Sequence, residues 1–142
     1  MLAALQKASL TVGVHEAEGS AENALEGGTV IDKANGAEFG IGQPPRQPIG
    51  GWFDSNEPQL AEDLKKIATA AVKQHRPVEQ ALARFGVHCV GQIQQRIADG
   101  IDPPLSPARL AEKEALTGSP KETPLILTGQ FRSSIRSKVE RG

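Results

Sequence analysis

Apolar residues recur at helical spacing most strongly between Val78 and Ile97. Val78, Ala81, Leu82, Phe85, Cys89, Val90, Ile93 and Ile97 fall on one stripe. Pro77 precedes the stripe and Gly100 follows it, as expected for a helix start and a C-terminal cap. This segment is predicted to be the main core helix. A second stripe lies before it, with Leu60, Leu64, Ile67, Ala68, Ala71 and Val72 on one side and Lys65, Lys66 and Lys73 elsewhere on the wheel. It should end near His75-Arg76, because Pro77 restricts the residue before it. Asp54-Ser55-Asn56-Glu57-Pro58 offers cap-forming side chains, a first-turn proline and acids near the positive end of the dipole, so the helix is expected to start there. Ser106-Pro107 repeats the cap-and-proline signal and predicts a short helix from Ala108 to about Ala115.

Period two appears near both ends of the chain. Leu10, Val12 and Val14 alternate with Thr11, Gly13 and His15, the pattern of a half-buried strand. Ile135 and Val139, separated by Arg136 and Lys138, mark a last strand that should pair with the first. Residues 2–8 read as a short helix. Thr29 to Phe39 carries Val30, Ile31, Ala34, Ala37 and Phe39 but is interrupted by Asn35-Gly36, so it is a short helix or an irregular segment. Leu125, Ile126 and Leu127 are three adjacent aliphatics that must be buried from more than one side. Thr128-Gly129 then breaks the run with a residue free to take positive φ. The elements assemble into one α+β domain over residues 1–142. Its small, mostly antiparallel sheet packs against two or three helices, with long Gly/Pro-rich loops.

Composition narrows this picture. The chain has 142 residues, enough for one modest core, and four Phe, one Trp and no Tyr make that core aliphatic. Fifteen Gly and ten Pro, gathered mainly in residues 19–58 and 100–129, assign much of the chain to loops. Residues 40–52 form an extended arm, because Pro44-Pro45 and Pro48 force extended backbone between flanking glycines. Such an arm is either a contact surface or a connector. Trp52-Phe53 reads as a staple seating the helix start, with an exposed aromatic anchor as the alternative.

Net charge is −1, which gives the whole chain no electrostatic footprint for nucleic acid. Its distribution is uneven. Residues 1–50 carry three cations against six carboxylates, a balance of −3, and residues 131–142 carry four cations against Glu140, a balance of +3. These read as a solvated acidic loop and a solvated basic tail, or as faces of opposite sign that meet between copies. A single cysteine excludes an internal disulfide framework. No apolar run approaches a membrane span. Residues 1–7 lack a basic n-region, so a signal peptide is not expected and the protein should be made and kept in a cytoplasm.

Candidate chemistry is sparse. His15, Glu16 and Glu38 have no fixed ligand spacing, and His15 reads as a surface histidine. His75 suits a helix C-terminus. His88 and Cys89 are sequence neighbours on one helix and cannot share a face, so Cys89 reads as a buried structural thiol. Ser106, Ser133 and Ser134 have no elbow motif or local base. The glycines between Gly36 and Gly51 lack the Lys-Ser/Thr ending of a phosphate loop. No catalytic residue, metal ligand or cofactor site is expected, and the chain is not expected to be an enzyme.

Four stretches, in this order, carry a resemblance. They are Thr11-Val12-Gly13-Val14; Ala37-Glu38-Phe39-Gly40 followed by Pro45-Arg46-Gln47-Pro48-Ile49; Gly100-Ile101-Asp102-Pro103-Pro104-Leu105-Ser106; and Pro124-Leu125-Ile126-Leu127-Thr128-Gly129-Gln130-Phe131-Arg132-Ser133-Ser134-Ile135. Together they resemble the neck or tail-completion (minor tail) proteins of long-tailed double-stranded DNA bacteriophages, the family that includes lambda minor tail protein Z and Mu virion morphogenesis protein G. The likeness spans about residues 10–140. It implies a structural virion component at the head–tail neck or upper tail, assembled in the host bacterial cytoplasm as a homo-oligomeric ring. Its neighbours would be neck or connector proteins and tail-tube or tail-terminator proteins. DNA would pass nearby without specific binding. The alternatives are a tail terminator that caps tube polymerisation and a small cytoplasmic binding or regulatory module. Under the first reading, Pro44, Pro45, Arg46, Pro48, Ile49 and Trp52 of the arm, with Arg132, Arg136 and Lys138 of a basic C-terminal strand, are the expected subunit-interface residues. Deletion of residues 43–50 is then expected to spare the fold and abolish assembly.

Overall fold

The computed structural model describes residues 8–15, 19–20, 29–41, 44–101, 107–117 and 130–141. Along the chain come β1 (Ala8–Gly13), α1 (Val30–Phe39), α2 (Gly50–Gln74), α3 (Val78–Asp99), α4 (Pro107–Thr117), α5 (Gln130–Ser133) and β2 (Arg136–Arg141). The strands pair antiparallel, with Leu10 opposite Val139 and Val12 opposite Ser137. They form a two-stranded sheet that packs against helices, the expected α+β arrangement. A two-stranded ribbon is marginal alone. Here α3 lies across both strands and covers the Leu10–Val139 face.

The helix meets the sheet at very short range because Gly86 has no side chain. A Cβ there would lie 2.6 Å from Ser137 Cβ and 2.8 Å from Leu10 Cδ1. On the same helix, Ile93 and Ile97 are fully buried, and the whole stripe from Val78 to Ile97 faces inward as its spacing requires. Gly100 caps α3 with φ +91°, its N–H donating to the Ile97 carbonyl.

α2 and α3 form an antiparallel hairpin around His75-Arg76-Pro77. Trp52 at the start of α2 shares a cluster with Ile93 and Ile97 at the end of α3. Ala71 near the end of α2 shares a smaller cluster with Val78 and Leu82 at the start of α3. His75 closes α2 in the left-handed region (φ +51°).

Several expectations need correction. α2 begins at Gly50, four residues before Asp54, and Pro58 lies inside the helix. The reason is a cap supplied from elsewhere. The Glu38 carboxylate accepts from the Ile49 and Gly50 N–H groups at 2.6 and 3.2 Å, so the helix does not need the Asp54–Asn56 side chains. Pro58 denies the Asp54 carbonyl its usual donor, and both residues lie on the exposed side. Leu64, counted on the apolar stripe of α2, is 42% exposed. Gly50 and Gly51 belong to a helix, not to an extended arm. Ala8 is in β1, while residues 2–7 lie outside the described residues. Arg132 lies in the helical turn α5, so the last strand starts only at Arg136.

The segment left open between helix and irregular structure is α1. Thr29 and Asp32 form a reciprocal capping box, with Asp32 N–H donating to Thr29 Oγ1 and Thr29 N–H to Asp32 Oδ2. Gly36 is buried within α1, and Gly40 ends it at φ +76°. The aliphatic run 125–127 and the Thr128-Gly129 corner lie outside the described residues. Beyond the corner, Phe131 is 2% exposed and Ile135 is fully buried.

Candidate functional site

The strongest local construction is a knot between the end of α1, the proline arm and the start of α2. Gly40 turns the chain out of α1, and the arm then doubles back. Arg46 and Gln47 N–H both donate to the Ala37 carbonyl, at 2.9 and 3.1 Å. Those bonds satisfy part of the C-terminal end of α1. One residue further along α1, Glu38 reaches across to cap α2. A carboxylate at the positive end of a 25-residue helix is favoured by both hydrogen bonding and the helix dipole. Arg96 of α3 donates to the Gln47 carbonyl at 3.4 Å, tying the arm to the core helix as well. Trp52 and Phe53 meet edge to face, with ring centroids 5.1 Å apart.

This construction sorts the expected interface residues. Pro44 and Pro45 are exposed. Arg46 is 4% exposed, Pro48 is fully buried and Trp52 is 6% exposed, while Ile49 is half-buried. Arg46, Pro48 and Trp52 therefore spend their surface inside their own chain. The arm folds onto Ala37 and α2 starts early, and this removes those three from any contact surface. Trp52 is a core residue, neither an exposed anchor nor a staple for a start at Asp54. Removing residues 43–50 would delete the partners of Ala37 and Glu38, so that deletion is expected to damage the fold. Burial lowers the pKa of Arg46 from its ordinary value and does the same to Lys33.

Beside the knot lies an apolar edge that the sequence did not single out. Phe39 is 74% exposed and Ile41 68% exposed, immediately before the exposed Pro44-Pro45. Large apolar side chains that stand together at the surface mark contact sites.

The basic C-terminal residues are less free than expected. Arg132 is half-buried, and its carbonyl accepts from Gln94 at 3.0 Å. Arg136 is exposed but folds back to the Ser133 and Ile135 carbonyls, capping α5. Lys138 pairs with Glu140 at 3.1 Å on the open surface, a contact of small energetic weight.

Nothing among the described residues brings these groups into a catalytic set. Thr11 Oγ1 and His15 Nε2 lie 3.0 Å apart, an exposed contact at the end of β1. Cys89 is 1% exposed, and burial, with Asp63 adding repulsion, pushes its thiol pKa above the ordinary value, which suits an inert thiol. His88 stacks on Phe85 and faces away from Cys89. Ser134 is buried, with its hydroxyl donating to the Gln130 carbonyl at 2.6 Å. Among the described residues there is no cluster of three metal-ligating side chains and no helix both long and apolar enough to cross a membrane.

One charged feature escaped the sequence reading. Lys65, Lys66 and Lys73 lie along the second half of α2, and Lys66 shares a groove with Arg76 and Arg84 at the hairpin. The lysine spacing on α2 was visible, but the contribution of the two arginines depends on the hairpin closing. No protein-family model, curated protein or solved structure matches the chain.

Proposed function

We propose that this chain is a structural subunit of a long-tailed double-stranded DNA phage virion. Copies would join into a ring at the head–tail neck or upper tail and complete the tail for joining to the head. The observation that carries the reading is the knot around Glu38. The Glu38-Phe39-Gly40 element and the proline arm, two parts of one resemblance, are physically one device. Glu38 fixes the start of α2, Ala37 fixes the arm, and Phe39, Ile41, Pro44 and Pro45 are left exposed beside these bonds. A stiff apolar edge loses little freedom when it docks, so it suits a repeated subunit contact. A heterologous contact of that kind closes into a ring when its rotation permits.

The test is electron microscopy of phage particles with and without this protein. Rings of the purified protein and presence in particles are expected, and particles lacking it should appear as separate heads and tails. Overlong tails in its absence would move the assignment to a tail terminator. A stable monomer that is absent from particles would replace it with a small cytoplasmic binding module.

A further inference from the structure

Two adjoining surface grooves lie on the second half of α2, one of about 370 Å³ along α2 itself and one of about 290 Å³ where α2 meets α3. They share Lys66, Ala70 and Gln74. Ile67, Ala71 and Ala81 give the floor an apolar character. Among the described lining residues are five cations (Lys65, Lys66, Lys73, Arg76 and Arg84) and one carboxylate, Glu62. None of the five cations forms an ion pair among the described residues. On a chain of net charge −1, this is a concentrated positive surface with an apolar base.

We infer that this groove receives the acidic stretch of residues 16–26 from a second copy of the chain. The inference rests on the ring assembly proposed above. Charge complementarity is the first support. Residues 16–28 contain Glu16, Glu18, Glu22 and Glu26, no Lys or Arg, and the apolar Ala24-Leu25 pair. Four carboxylates beside a short apolar element match cations beside an apolar floor.

Position is the second support. Gly19 packs against Val14 and Ile31, and Thr29 caps α1. These described residues within and beside the stretch lie at the α1 end of the molecule, whose buried residues cluster with Trp52 and Ile97. The grooves run along the second half of α2 and the first two turns of α3, toward the opposite end. A helix of 22 residues is about 33 Å long. A donor at one end and an acceptor at the other make a head-to-tail contact, the geometry a ring needs. A nucleic acid is the weaker match, because no aromatic side chain is among the described lining residues to stack a base.

The test uses a fluorescent peptide of residues 15–29 and the full-length protein, read by anisotropy. Saturable binding is expected. It should weaken by about tenfold in Lys66→Glu/Arg84→Glu, the scale of two or three exposed ion pairs. It should also weaken as salt shortens the screening length. Both substituted residues are at the surface, and an unchanged urea midpoint would confirm that the fold is retained. In sedimentation, the same variant should assemble less than the native protein, and adding Glu18→Lys/Glu22→Lys to it should restore assembly. Peptide binding undiminished in Lys66→Glu/Arg84→Glu overturns the proposal, and so does full assembly of that variant, which would leave the ring reading standing on another surface. A short DNA duplex that binds more tightly than the peptide, and is lost in the same variant, overturns it in favour of phosphate. A native protein that stays monomeric at every concentration in low salt removes the ring, and the second-copy occupant with it.

Discussion

The two ends of the α2–α3 hairpin hold together in different ways. At one end, ten buried residues from α1, α2, α3, α5 and the adjoining segments form one cluster, and backbone groups of the arm are tied to Ala37, Glu38 and Arg96. At the other, three buried residues (Ala71, Val78 and Leu82) are joined among the described residues by partly buried neighbours, and the cations around them are exposed. The first end is rigid and presents apolar groups outward. The second is thinly packed among the described residues and presents charge. A shape-selective contact is best built on the first, because docking there orders little that is not already ordered. A charge-selective contact suits the second, where long lysine and arginine side chains adjust to a partner.

The largest expected effect separates the two clusters. Ile93→Ala, in the larger cluster, should lower stability by about 4 kcal/mol, because many fixed neighbours surround the cavity and cannot close it. Leu82→Ala should cost about 2 kcal/mol, since its few neighbours lie near the surface and can collapse inward. Urea midpoints, analysed with a common slope, give both values. Equal losses would show that the ends are equally well packed and remove the distinction.

The next test addresses the seam that joins the ends. Gly86→Val forces a side chain into Ser137 and Leu10 and should cost about 3 kcal/mol. Gly91→Ala, one and a half turns further along α3, meets nothing within 4 Å. It should stabilise the protein by about 0.8 kcal/mol through helix propensity alone. If both substitutions destabilise, the close approach of the sheet at Gly86 is not what distinguishes them.

The thinly packed end was more legible in the sequence than the rigid one, apart from its charge. α3 could be read from its stripe, its proline and Gly100, and the pairing of β1 with β2 from their alternation, because in each case local pattern and tertiary burial demand the same thing. The start of α2 could not. Its cap comes from Glu38, eleven residues upstream and in a different helix, whereas Asp54–Pro58 offers a complete local signal that the fold does not use. Arg46 and Pro48 looked like surface residues for the same reason, since their burial exists only once the arm has folded back on Ala37. The Thr29–Asp32 box was different. Its four-residue signature stood in the sequence, and the Asn35-Gly36 pair drew attention away from it. Of the candidate site, Pro44 and Pro45 remain where the proline pattern put them. The basic groove needed two helices to meet before Arg76 and Arg84 could join the lysines.

Glu38 offers a smaller effect that acts on the rigid end only. Glu38→Ala leaves the Ile49 and Gly50 N–H groups without their acceptor and should cost about 2 kcal/mol. Glu38→Gln keeps a carbonyl acceptor but loses the charge at the helix terminus, so it should cost about half as much. Protection of the Ile49 and Gly50 amides from hydrogen exchange should fall in both variants, while amides of α3 near Leu82 keep theirs relative to global stability. Loss spread evenly over both ends would mean that Glu38 is not a local fastener.

The smallest effect concerns Asp32, which is exposed but belongs to the rigid end through the α1 cap. The Thr29 N–H and hydroxyl both donate to its carboxylate, and these bonds hold its pKa below the ordinary 3.8. A carboxylate whose folded pKa is depressed stabilises the fold fully above its unfolded pKa. That contribution is lost as pH falls through the folded value. The native protein should therefore be more stable than Asp32→Asn at neutral pH. The gap should begin to close once the pH drops below about 5 and should keep narrowing as the pH falls through the lowered folded value. Urea midpoints of the two proteins across that range measure it. A gap that stays constant down to pH 2 would mean that side-chain shape, not charge, makes the cap, and that the rigid end owes nothing to the ionised Asp32.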